Sequence, residues 1–152
     1  MTPVISDLRR ATPTDAPAIL ALTRAAYAKW IPLLRREPKP MAVDYAAAAR
    51  DHRIDLLHVD GRLAALIETV PGSGHLLILN VAVTPEFQGR GYGSRLIAHA
   101  EQSAASLGYA ETRLYTNALF AENLVLYGRL GYRVDREEPF KGGRLVHMRK
   151  TL

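Results

Sequence analysis

The chain has 152 residues, 48% of them hydrophobic and 23% charged, the balance of an ordinary globular protein with room for one core. It contains no cysteine, which excludes disulfides, thiolate metal sites and a cysteine nucleophile. Its net charge of +5 comes from 20 Lys and Arg spread along the chain, which suits an anionic small ligand and speaks against nucleic acid. No apolar run reaches the ~18 residues of a membrane span, and residues 1–10 lack a signal-type apolar stretch, so a cytoplasmic protein without a membrane partner is expected.

In chain order, Val4 to Arg10 reads as a short first strand. Thr12-Pro-Thr-Asp-Ala-Pro17 starts a helix, with a Thr cap, Pro in the first turn and an acid for the dipole. Ile19, Leu20, Leu22, Ala26 and Tyr27 recur at helical spacing, and Pro32 should end this helix near Trp30. Arg35-Arg-Glu-Pro-Lys-Pro40 is a proline-broken linker, and the Ala-rich segment Val43 to Asp51 is a second helix. Ile54 to Val59 and Arg62 to Val70 form a hairpin about Asp60-Gly61. After the turn Pro71-Gly-Ser-Gly74 comes a long strand, His75 to Val83. Leu96, Ile97, Ala100, Ala104 and Leu107 mark one stripe of a helix that stops at Gly108. Thr112 to Thr116 is a strand, Ala121 to Leu130 a helix ended by Gly131, and Tyr132 to Asp135 and Arg144 to Arg149 are strands around Lys141-Gly-Gly143. The order is β-αα-βββ-α-β-α-ββ.

The richest segment is Asn80-Val-Ala-Val-Thr-Pro-Glu-Phe-Gln-Gly-Arg-Gly-Tyr-Gly-Ser94. Strand, glycine turn and helix start together make a phosphate cradle: glycines let the backbone come close, and first-turn amides have no intrahelical partner. A P-loop would need Gly-Lys-Ser/Thr, which occurs nowhere. A dinucleotide loop would need G-x-G-x-x-G early in a βαβ unit, whereas Gly89, Gly91 and Gly93 are spaced differently and lie mid-chain. Gln/Arg-x-x-Gly-x-Gly/Ala is matched by Gln88, Gly91 and Gly93. That pattern resembles the acetyl-CoA loop of the GNAT N-acetyltransferase superfamily.

The resemblance extends over the whole element order. It implies a single α/β (α+β) domain over residues 1–152, with a mixed sheet of about seven strands and helices on both faces. The strands His75–Val83 and Thr112–Thr116 would lie parallel, joined by the intervening helix, and would splay to admit a pantetheine arm. The donor would be acetyl-CoA, held by Val81, Ala82, Val83, Gln88, Gly89, Arg90, Gly91, Tyr92, Gly93 and Ser94. The N–H of Val83 or its neighbour would polarise the thioester carbonyl.

Asn123-Leu-Val-Leu-Tyr-Gly-Arg-Leu-Gly-Tyr132 looks like the superfamily's C-terminal segment. It puts Tyr127 at the position of the general acid that protonates the departing thiolate, a role open to a phenol that is protonated at neutral pH. The other reading of Tyr127 is a ring packed on the sheet. An Asn often stands seven residues before that Tyr in the superfamily, but here the position is Phe120. Asn117 and Asn123 are the nearby amides that could bond the cofactor, and Asn117 could equally cap the helix. The strand before the loop carries Leu77 and Leu79 where a base might stand. Glu68 and His75 are the nearest proton acceptors, and a water-relayed base assisted by Glu68 is expected. A solvated strand-end carboxylate and a turn histidine are their ordinary readings.

The acceptor pocket of the superfamily lies on the first two helices, their linker and the C-terminal hairpin. Tyr27, Trp30 and Met41 are therefore candidates for the substrate side, with Arg35, Arg36, Glu37, Glu137 and Glu138 as charged candidates. The expected reaction moves an acetyl group from acetyl-CoA to the primary amine of a small molecule. A peptide N-terminal acetyltransferase and a CoA-binding sensor without catalysis stay open, as does a homodimer.

Overall fold

The computed structural model describes residues 8–152. Its strands are β1 (Arg9–Arg10), β2 (Arg53–Val59), β3 (Arg62–Pro71), β4 (His75–Val83), β5 (Glu111–Asn117), β6 (Arg133–Phe140) and β7 (Gly143–Thr151). Its helices are α1 (Ala16–Tyr27), α2 (Ile31–Leu34), α3 (Tyr45–Asp51), α4 (Tyr92–Ser106) and α5 (Ala121–Arg129). The seven strands make one mixed sheet in the order β1-β2-β3-β4-β5-β7-β6. β4 and β5 are parallel, and the β1–β2, β2–β3, β5–β7 and β6–β7 ladders are antiparallel. Val4 to residue 7 of the expected first strand lie outside the described residues.

Packing divides the chain into two units, one reaching to Thr69 and including Asn80–Ile97, the other formed by Val70–Leu79 and Ala98–Leu152. In the first unit Ile19, Leu22, Ala26 of α1 and Ala48, Ala49 of α3 pack with Ile54, Leu56 and Leu66 of the sheet. Each fully buried Leu or Ile contributes about 1.5–3 kcal/mol relative to an exposed one. α1 is anchored at its start. Asp15 accepts from the Thr12 N–H at 2.9 Å and from both terminal nitrogens of Arg9 at 2.7 and 3.0 Å. The Arg9 guanidinium, joined by the Thr12 N–H, holds the Asp15 carboxyl at about 2. Asp60 and Gly61, with φ of 51° and 75°, form the two-residue turn between β2 and β3.

Two elements depart from the sequence reading. The first helix ends before Pro32 as expected, at Tyr27 with a 3-10 turn Ala28–Trp30, but a further helical turn, α2, follows at once, with Pro32 in its first turn, where no amide hydrogen bond is lost. β6 runs on through Pro139 to Phe140, well past Asp135. β6 is the last strand in the sheet order, and an edge strand tolerates proline because one side has no ladder to donate to.

In the second unit the parallel ladder runs from His75↔Glu111 to Ile78↔Leu114, and β4 continues to Val83. A buried network joins Tyr132, whose hydroxyl lies 2.7 Å from Thr112 Oγ1 and donates to Glu101 Oε2 at 2.9 Å, with Lys150 donating to Glu101 Oε1 at 3.0 Å. Among the described residues no helix is long and apolar enough to cross a membrane.

Candidate active site

The glycine segment folds as a strand end, a 3-10 turn Pro85–Phe87, an extended Gln88 and then α4. The Thr84 N–H donates to Ala64 O at 2.9 Å, and Gln88 Nε2 donates to Val83 O at 2.9 Å, so the turn is pinned to the sheet at both of its ends. Phe87 is buried against Tyr92, edge to face at 6.1 Å, with the guanidiniums of Arg62 and Arg90 at 5.3 and 5.4 Å from its ring. That packing sets the loop's floor. Gly89 and Gly91 have φ of 76° and 84°, values an L side chain rarely adopts. Gly93 is different: its φ is ordinary, and an added Cβ would meet only Val83 Cγ2, at 3.8 Å. The helix ladder begins with Arg95 N–H to Gly91 O at 3.1 Å. The amides of Tyr92, Gly93 and Ser94 therefore precede the first α4 bond and have no place in its ladder, the condition for receiving an anion.

The same unit holds a cluster of polar side chains under α1 and α3. The Tyr27 hydroxyl donates to Asn80 Oδ1 at 2.7 Å, Asn80 Nδ2 donates to the Tyr45 hydroxyl at 3.4 Å, and Tyr45 donates to Pro40 O at 2.6 Å. Burial pushes the Tyr45 phenol up to about 12, with the charge of Glu68 adding to the rise. Glu68 itself is 3% exposed, and its Oε2 lies 2.7 Å from His52 Nδ1. It is thus a buried, paired carboxylate and not a solvated strand-end one. The fully buried positions of β4 are Leu76, Ile78, Asn80 and Ala82, while Leu77 and Leu79 are half-buried. The alternation is that of the two faces of a strand. His75 is the first residue of β4, its Nδ1 3.1 Å from Ser73 O and its ring beside Gly72.

Of the acceptor-side candidates, Tyr27 joins the cluster through Asn80. Trp30 is half-buried with Lys29 Nζ 4.9 Å from its ring centre. Met41 is buried, and its carbonyl accepts from Arg24 Nη1 at 3.0 Å. Glu37 is committed to Arg24 at 2.9 Å. Lys29 Nζ also reaches Gln88 Oε1 at 3.4 Å.

In the second unit, Tyr127 lies on α5, half-buried, its ring edge to face with Tyr132 at 6.3 Å. Burial raises its phenol to about 12, so it carries its proton throughout the neutral range. Its hydroxyl has no hydrogen-bond partner among the described residues and is not among the atoms sealed from solvent. Asn117 Oδ1 accepts from the Leu119 N–H at 2.9 Å, closing the turn before α5, and Asn123 Nδ2 is 3.5 Å from Thr116 Oγ1. Glu137 and Glu138 pair with Arg144 at 3.6 Å and with His147 at 2.6 Å.

Sequence reasoning did not single out His52 or Tyr45. A signal was there: Tyr45, Ala48, Ala49 and His52 repeat at helical spacing, so the stripe that buries two alanines ends in a polar group on either side.

Residues 47–134, more than half of the chain, match the model of the acetyltransferase (GNAT) domain, and the chain belongs to that family. It is an acyltransferase of the GNAT type. No curated protein matches the sequence. Solved structures share the fold. The PaiA N-acetyltransferase of Thermoplasma acidophilum in complex with coenzyme A superposes with a TM-score of 0.77 at 20% identity, over 98% of this chain and 99% of that one. The ribosomal-protein-S18-alanine N-acetyltransferase of Escherichia coli gives 0.78 at 21% identity, over 97% and 94%. A GNAT family acetyltransferase of Elizabethkingia anophelis with acetyl-CoA bound gives 0.74 at 16% identity, over 97% and 98%.

Proposed function

We propose that the protein is an N-acetyltransferase that moves an acetyl group from acetyl-CoA to the primary amine of a small molecule by direct attack. The observation that carries this reading is the loop from Gln88 to Ser94. Its positive-φ glycine stands immediately before α4 and leaves the first-turn amides open, in a chain of the acetyltransferase family. Solved neighbours that hold coenzyme A or acetyl-CoA support the choice of donor. The amides of Tyr92, Gly93 and Ser94, with the loop residues Gly89, Arg90 and Gly91, receive the donor's phosphates. Gln88 shapes the loop through its bond to Val83 O. Val81, Ala82 and Val83 offer main-chain groups to the pantetheine and thioester, and the amides of Asn117 and Asn123 supply further polar contacts to it.

The chemistry needs one proton acceptor and one donor. The acceptor enters as an ammonium, which has no lone pair. One N–H bond breaks, and the proton goes to Glu68, directly or through a water. The free amine then attacks the thioester carbonyl carbon and a C–N bond forms; the C–S bond breaks, the departing thiolate takes the Tyr127 phenol proton, and a second N–H bond breaks as the nitrogen gives its surplus proton back to the Tyr127 phenolate, leaving the amide, the free thiol and one proton on Glu68. Tyr27, Trp30 and Met41 shape the acceptor side.

The test is release of free thiol from acetyl-CoA across a panel of amine metabolites and peptides with free N-termini. Turnover with small amines supports the reading, and turnover with peptides alone replaces the acceptor class. Stabilisation by acetyl-CoA with no thiol from any amine makes the protein a sensor. Tyr127→Phe should lower kcat about 100-fold with the KM for acetyl-CoA unchanged; full activity in that variant removes Tyr127 from the acid role.

A further inference from the structure

We propose that His52 is a positioning residue for acetyl transfer: its Nδ1–H bond to Glu68 Oε2 fixes the carboxylate so that Oε1 is the oxygen presented to the acceptor ammonium. The proposal rests on the reading of Glu68 as the proton acceptor. Glu68 lies on β3, 3% exposed, with His52 Nδ1 2.7 Å from Oε2. An ionised carboxylate only accepts, so the shared proton sits on Nδ1. Oε1 has no hydrogen-bond partner among the described residues. One oxygen is held and the other has no bond among the described residues.

A purely structural ion pair would close both oxygens, since an unsatisfied buried acceptor costs about 1–3 kcal/mol. The polar groups of α1, α3 and β4 in this unit do not close it. The Tyr45 hydroxyl feels the charge of Glu68 but gives its proton to Pro40 O. Asn80 Nδ2 is spent on Tyr45, and the Tyr27 hydroxyl on Asn80 Oδ1. The Tyr27, Asn80 and Tyr45 donors are thus committed elsewhere, and Oε1 has no donor among the described residues. His52 is well placed to hold its end. Its own N–H donates to Ala48 O at 2.8 Å, fixing the backbone where α3 gives way to β2, and its side chain is 31% exposed.

The test compares His52→Asn with His52→Gln. The Asn amide N–H falls close to the place of Nδ1–H, and the Gln amide reaches further, to the place of Nε2. Both are polar, and thermal melts check that both fold. Thiol release from acetyl-CoA is followed with spermidine, tyramine and an alanine-terminated peptide. We expect His52→Asn to keep kcat within about threefold of the parent, and His52→Gln to lose more than about tenfold, with the KM for acetyl-CoA unchanged in both. Equal kcat in the parent and both variants overturns the role of His52, as does a loss carried by the KM for acetyl-CoA. Glu68→Gln separates the two levels. If it keeps full kcat, Glu68 is not the proton acceptor, and the failure lies in that reading. If the unaltered enzyme releases no thiol with any of the three amines, both readings fall.

Discussion

The loop from Gln88 to Ser94 and the side-chain cluster under α1 and α3 belong to one unit and treat polarity in opposite ways. The loop is built from main chain and leaves its donors open, held in place by Phe87 below and Gln88 at the side. The cluster is built from side chains, and Tyr27, Asn80, Tyr45 and Pro40 O are joined in a chain of hydrogen bonds. An open main-chain cradle binds whatever carries phosphate, because every residue has an amide to offer. A closed side-chain network fixes shape, and Glu68 Oε1 takes no part in its hydrogen bonds among the described residues. Under the proposed function the difference teaches where generality and choice reside: the loop would receive a donor common to a family, and the cluster would set what the acceptor meets.

The comparison can be broken first at Asn80. Replacing it with Ala leaves the Tyr27 and Tyr45 hydroxyls without their shared partner and opens a small cavity, for an expected loss of about 2–3 kcal/mol. For a chain of this size that lowers Tm by roughly 4–12 °C. The loop does not touch this network, so the stabilisation added by CoA should persist. A melt that shows the reverse, an intact free protein with CoA stabilisation lost, would move Asn80 from the cluster to the donor site.

The next effect is expected at Gly93. The free fold does not require glycine there, since φ is ordinary and an added Cβ has room at 3.8 Å from Val83 Cγ2. Gly93→Ala should therefore leave the unliganded Tm unchanged or raise it slightly through helix propensity. If the main chain there approaches the donor's phosphates, one methyl group should weaken CoA at least about tenfold, or ~1.4 kcal/mol, by calorimetric titration. Gly91→Ala is the counterpart. Its φ of 84° strains any side chain, so the unliganded protein itself should lose about 1 kcal/mol. Unchanged CoA affinity in Gly93→Ala would remove the close approach from the loop.

These two regions also differ in how they can be read from the sequence. The loop is local: glycine spacing, the strand His75 to Val83 and the helix start are consecutive, and the strand ends where the sequence places it. The hairpin at Asp60-Gly61 is legible for the same reason. The cluster joins positions 27, 40, 45, 52, 68 and 80, and apart from the helical spacing of 45 and 52 no short-range rule connects them. Glu68 reads as a solvated strand end until His52 comes back to it from the end of α3. Proline misleads twice, because its effect depends on what the sequence does not display: Pro32 opens a helical turn, and Pro139 sits on an edge strand.

The smallest expected effect comes from a third place, where polar groups are paired but exposed. Asp15 is held at about 2 by the Arg9 guanidinium and the Thr12 N–H, below its ordinary 3.8. A carboxyl depressed in the folded state favours folding wherever it is ionised in both states. Its contribution is present in full above about pH 4 and is lost as the pH falls through about 2. Half of the Arg9 side chain is exposed, so solvent screening keeps the contribution below about 1 kcal/mol. Urea denaturation of the parent and Asp15→Asn should differ at pH 7 and at pH 4.5. The two curves should converge near pH 2, and the difference at pH 7 should shrink in ~1 M salt. The cluster under α1 and α3 is shielded from such screening, so Asn80→Ala should keep its deficit in that salt. A salt-sensitive Asn80 deficit would mean that the network is open to solvent, and the contrast between an open loop and a closed cluster would fail there.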